Sequence, residues 1–140
     1  MLLVPLLEAY RAAVDVRAGR AELAVPRARQ AATLGKETLQ RSYAGEALRV
    51  LGWALHFAEP EARDEAEGAF SGAADLHRNG NGRSFYARTL TDLAAYLRLV
   101  GEDERAAEVE AEASALIREC RFDWMPVPPP LPAMAKASQS

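Results

Sequence analysis

The stretch LGWALHFAEPEARDEAEGAFSGA (Leu51–Ala73) decides how this chain folds. Leu51, Gly52 and Leu55 share one side of a helix. After the break at Glu59-Pro60, Ala66, Phe70 and Ala73 share one side of the next. Small residues let the two helices of a hairpin approach, while Leu and Phe fill the space between successive hairpins. The pattern recurs. Leu51, Gly52 and Leu55 return 42 residues later as Leu93, Ala94 and Leu97, and Ala66 and Ala73 have counterparts in Ala106 and Ala113, two residues closer. Counting 42 back gives Ala9, Tyr10 and Ala13, then Ala24 and Ala31. Three positions depart from the pattern. Tyr10 stands where a small residue is expected, Ala28 replaces the bulky filler, and Glu110 sits where Phe70 does.

Outward from this unit, apolar residues keep helical spacing and no segment alternates as a strand would. The spacing predicts six helices over 5–17, 20–35, 40–58, 60–77, 83–100 and 103–120. Arg17-Ala18-Gly19 and Val100-Gly101-Glu102-Asp103 read as turns, Pro60 as a helix start, and Arg78-Asn79-Gly80-Asn81-Gly82 as a loop. Short connections imply antiparallel neighbours. From residue 121 the composition changes. Phe122 to Pro132 holds Pro126, Pro128, Pro129, Pro130 and Pro132, which predicts a non-helical, polyproline-type tail. The organisation is therefore a helical repeat domain over 1–120 and a proline-rich tail over 121–140.

On Leu51-Gly52, Leu55, Ala66, Phe70 and Ala73, the chain resembles tetratricopeptide repeat proteins of the longer kind, with about 42 residues per unit. The resemblance covers roughly residues 5–119. It implies an all-α fold of three stacked antiparallel hairpins, an α-solenoid whose first helices line a concave groove that binds peptide. It also brings the expectation that such repeats sit at the C-terminal ends of large bacterial regulators. Stacked repeats leave flat end faces that need covering. Here Phe122, Trp124 and Met125 of the tail, or a second copy of the chain, are the expected cover.

Composition narrows the function. A net charge of -3 supplies no global field toward nucleic acid or acidic lipid. Basic charge is almost all Arg, with only Lys36 and Lys136 as lysines. A single cysteine, Cys120, precludes an internal disulfide and fits a reducing compartment. The apolar start Met1 to Leu7 has no basic leader and falls far short of the ~20 apolar residues that span a bilayer. It reads as the lead-in to the first helix, with Pro5 in a first turn, and the expected location is the cytoplasm.

No catalytic motif is visible. Asn79-Gly80-Asn81-Gly82 lacks the lysine and preceding strand of a phosphate loop. His56 and His77 have no Cys or carboxylate cluster to make a metal site, and no nucleophile is positioned beside them. No cofactor is expected. The acidic runs Glu59–Glu67 and Glu102–Glu112 read as solvated outer faces.

The first helices carry a different stripe. Arg49, Trp53 and His56 follow i, i+4, i+7 spacing beside the packing residues, and Arg88, Thr91, Ala95 and Arg98 form the corresponding row. Arg11 holds the matching place in the first helix. The resemblance turns this stripe toward the groove, so Arg11, Arg49, Trp53, His56, Arg88, Thr91 and Arg98 are the candidate contacts. Such a groove suits an acidic segment or a chain-terminal carboxylate. Against this, the arginines can pair with neighbouring carboxylates and Trp53 can pack between repeats. The reading is a non-enzymatic adaptor that binds another protein. The alternative is a regulatory oligomerisation module of a larger bacterial regulator, self-associating through its terminal repeats or tail.

Overall fold

A computed structural model describes residues 4–79 and 82–120. The proline-rich tail and Gly80-Asn81 lie outside the described residues. Among those described there are six helices: α1 (Val4–Arg17), α2 (Ala21–Glu37), α3 (Arg41–Ala58), α4 (Arg63–Arg78), α5 (Arg83–Leu99) and α6 (Asp103–Glu119). Pro5 lies in the first turn of α1, where its missing N–H costs nothing. Pro60 does not start α4. Glu59 to Ala62 form a turn closed by the Ala62 N–H donating to the Glu59 carbonyl, and the helix begins at Arg63.

The helix ends show why the breaks fall where they do. After α1 and α5, Gly19 and Gly101 take positive φ, +79° and +87°. The next N–H then reaches back, Arg20 to the Asp15 carbonyl and Glu102 to the Leu97 carbonyl. Leu39 takes the same conformation after α2, with φ 58° and Gln40 N–H on the Gly35 carbonyl. An L-residue is strained there, and nothing in the sequence announced it.

Each helix packs on its chain neighbours, and α3 also packs on α1 and α5. The first helices of the three hairpins thus touch one another in order. The second helices are linked at the surface by ion pairs, Arg29 to Glu65 and Arg105 to Glu67. The core centres on α3, where Trp53 and Leu55 are fully buried together with Phe70 of α4 and Tyr96 and Leu97 of α5. The Trp53 and Phe70 rings meet edge-on at 5.0 Å, and Phe70 lies 5.2 Å from Tyr96. Gly52 permits this arrangement, because a Cβ there would stand 2.5 Å from the Phe70 ring.

Burial agrees with the 42-residue register of the first hairpin at two positions and departs at one. In α1 the buried apolar residues are Ala9, Ala12, Ala13 and Val16, so Ala9 and Ala13 stand 42 before the buried Leu51 and Leu55, while Tyr10, the counterpart of Gly52, is turned away from the core. The second helices keep the 42-residue spacing, with Ala24 and Ala31 before Ala66 and Ala73. Tyr10 is therefore not at a close-approach position. It is 51% exposed.

Two substitutions test this packing by urea unfolding. Phe70→Ala should cost about 3–5 kcal/mol, the cost of emptying a buried aromatic site. Gly52→Ala, which in an open helix would stabilise by roughly 0.5–1 kcal/mol, should destabilise instead. A stabilised Gly52→Ala chain would contradict the contact with Phe70.

Candidate functional site

The candidate residues sit on α1, α3 and α5, and the structure divides them. Glu46 and Arg49 are one turn apart on α3, so their side chains meet. Arg49 Nη2 donates to Glu46 Oε2 at 3.0 Å, and Nη1 donates across to Asp92 Oδ2 of α5 at 2.6 Å. All three residues are 2–3% exposed. Burial alone pulls the Arg49 guanidinium toward losing its proton, but the charges of Glu46 and Asp92 reverse this and raise its pKa. Arg49 was expected at a groove surface. It is instead an internal cation with its donors occupied.

His77 of α4 closes the same cluster. It is buried, with its Nε2 3.6 Å from Glu46 Oε1, too far for a direct hydrogen bond. Both ring nitrogens and Glu46 Oε1 lack hydrogen-bond partners among the described residues. The ring stacks on Phe85 at 5.4 Å, and Gly45 leaves room for it, since a Cβ there would meet the imidazole at 2.6 Å. Burial pushes the Glu46 carboxyl up. The His77 contact and the charge of Arg49 outweigh it and hold the carboxyl at about 2.

Trp53, expected as an exposed groove aromatic, is 0% exposed. Its side of α3 meets α4 and α5, and the ring is enclosed by Phe70 and Tyr96. His56 is half-buried at the edge of this cluster, 5.6 Å from Tyr96, and burial lowers its pKa. Arg11 is exposed and pairs with Glu8 at 3.0 Å. Arg98 is exposed and grips Glu110 of α6 with two bonds, 2.6 and 2.7 Å. Thr91 is half-buried and donates to the Ala87 carbonyl at 2.9 Å.

Arg88 differs from the others. It is half-buried beside the Arg49 network, and no carboxylate among the described residues forms an ion pair with it. Burial lowers its pKa, Arg49 and Arg17 of α1 lower it further, and Glu46 and Asp92 act against them. Arg49 and Arg88 thus lie beside the same two carboxylates, Glu46 and Asp92, and Arg17 adds a further positive charge near Arg88.

The sequence reading missed Glu46, Asp92, His77 and Arg17. The Glu46–Arg49 spacing was a legible signal. The Asp92 partnership, 43 residues away, was not. Among the described residues no group of three His, Cys, Asp or Glu is placed to hold a metal ion, and no helix is long and apolar enough to cross a membrane. Comparison with protein-family models, with curated proteins and with solved structures gives no match.

The buried cluster has a pH signature. The Glu46 pKa is depressed from 4.5 to about 2 on folding, so its stabilising effect is complete above about pH 4.5 and drains away as pH falls toward 2. Urea titrations across that range should show wild-type stability falling and a Glu46→Gln chain responding less steeply; equal slopes would remove Glu46 from the account. At neutral pH, Arg49→Ala strands both carboxylates and should cost about 3–5 kcal/mol.

Proposed function

We propose that this chain is a non-enzymatic protein-interaction module, a tetratricopeptide-like stack of three hairpins that binds an acidic peptide segment on its inner layer of first helices. The stacked arrangement is supported by the order of packing, in which α1, α3 and α5 touch in sequence and each also carries its own second helix. The observation that carries the binding reading is Arg88, half-buried, with Arg17 and Arg49 nearby and no ion-pair partner among the described residues. A guanidinium partly removed from water attracts a carboxylate more strongly than a fully solvated one does. Its planar fork can take both oxygens of an Asp or Glu side chain or of a chain terminus.

This reading narrows the contact set. Arg49 and Trp53 act beneath the surface, the first by joining Glu46 to Asp92 of α5 and the second by holding α3 against α4 and α5. Arg11 and Arg98 already hold Glu8 and Glu110. Arg88 and Arg17 remain as the charged contacts, with Thr91 and His56 beside them on the inner helices.

The test is fluorescence anisotropy with labelled peptides rich in Asp and Glu. Wild-type binding should weaken with added salt, and Arg88→Glu should weaken it by roughly tenfold or more, the loss of one charge-assisted contact. Arg98→Glu, on a residue already paired, should change it much less. Equal affinity in wild type and Arg88→Glu, or tighter binding to basic peptides, would overturn the proposal.

A further inference from the structure

The first hairpin carries a surface that the binding reading does not use. On α1, Leu7, Tyr10 and Val14 are 56%, 51% and 54% exposed, on the side opposite the buried Ala9, Ala12 and Val16. Their i, i+3, i+7 spacing makes a straight apolar seam, the pattern by which one helix pairs with another. With Arg11, Asp15 and Arg27 they border a shallow concavity of about 390 Å³. The other end of the array is different. Among the described residues of the last hairpin only Leu99 is a large hydrophobic more than half exposed, and Val109, Leu116 and Ile117 of α6 are half-buried, so no comparable seam is presented there for head-to-tail stacking.

Charge narrows the occupant further. Glu8 and Arg11 lie on the same flank of the seam, three residues apart, and pair within the helix at 3.0 Å, while the other Glu8 oxygen lies 3.5 Å from Arg27 of α2. Two antiparallel copies of α1 bring like flanks together, so the Arg11 of each copy comes level with the Glu8 of the other. Parallel copies would set these charges against the opposite flank, where Leu6 and Ala13 offer nothing to pair with. A patch bearing both signs in this order is self-complementary under a two-fold axis.

We propose that this face is a homodimer interface, in which α1 packs antiparallel on α1 of a second copy through Leu7, Tyr10 and Val14. The two-fold axis passes near Tyr10, and Arg11 of each chain exchanges Glu8 of its own helix for Glu8 of the other. The interface lies outside the Arg88 site, so the dimer and the peptide-binding proposal stand or fall separately.

Light scattering coupled to size exclusion, on the full chain up to roughly 100 µM, reads the oligomeric state in the micromolar range where such contacts act. The wild type should dimerise. Leu7→Glu/Val14→Glu should weaken association by about a hundredfold or more, since each change enters a two-fold interface twice, with helicity by circular dichroism unchanged. If that variant unfolds, Arg11→Glu decides instead. It should weaken the dimer, and Glu8→Arg/Arg11→Glu should restore it. Orientation is read from Leu7→Cys and Val14→Cys chains mixed in a Cys120→Ser background, which on mild oxidation should form an interchain disulfide between the two variants in preference to one between like chains. A wild-type chain that stays monomeric, a dimer indifferent to the seam and charge variants, or cross-linking of like chains in preference to the Leu7→Cys and Val14→Cys pair would each overturn the proposal.

Discussion

At position 52 the backbone of α3 comes so close to the Phe70 ring that any side chain there would collide with it. Phe70 in turn touches Trp53 and Tyr96, so one close approach links α3, α4 and α5. The rest of the packing follows from it. With α4 drawn in on one side, α3 is enclosed by α1, α2 and α5 on the others, and nearly every residue from Ala44 to Leu55 is buried. A helix so enclosed cannot present a broad binding face. For that reason Trp53, aromatic and centrally placed, serves packing.

Enclosure also explains the buried ionic cluster. Glu46 and Arg49 occupy α3 positions that reach α5 and α4, and there they must be neutralised internally. Asp92 completes Arg49 across the hairpin boundary. Apolar side chains would fill that space at lower desolvation cost, but they would not fix the relative placement of α3 and α5 as directional bonds do. Arg49 takes both carboxylates of the cluster, and Arg88 beside it, with Arg17 near, has no ion-pair partner among the described residues. The proposed peptide contact lies where this internal pairing stops.

The surfaces divide the same way. On the outer helices, arginines are answered by carboxylates on the neighbouring hairpin, Arg29 by Glu65 and Arg105 by Glu67. These exposed pairs contribute little stability, but they leave the outer layer without excess charge of one sign along those contacts. Apolar exposure is concentrated on the first hairpin, where Leu7, Tyr10, Val14 and Leu23 are each more than half exposed. The first three form a row on one face of α1, the kind of surface that proteins cover.

The sequence alone determined the number, order and approximate limits of the helices, because periodicity and turn residues act locally. It also identified Leu51, Gly52, Leu55, Ala66, Phe70 and Ala73 as packing residues, since close approach demands small and bulky side chains at those spacings. It misplaced the start of α4 and missed the positive φ of Leu39, where local signals conflict with how the chain turns. The tertiary structure alone decided which polar residues are internal. Arg49, Arg88 and Arg98 read alike in sequence, and their fates diverge according to which carboxylate a neighbouring helix brings near: Asp92 for Arg49, Glu110 for Arg98, none among the described residues for Arg88. It likewise turned Tyr10 outward, although Ala9 and Ala13 on either side keep the 42-residue spacing, because which face of a helix meets its neighbours is settled only when the helices pack.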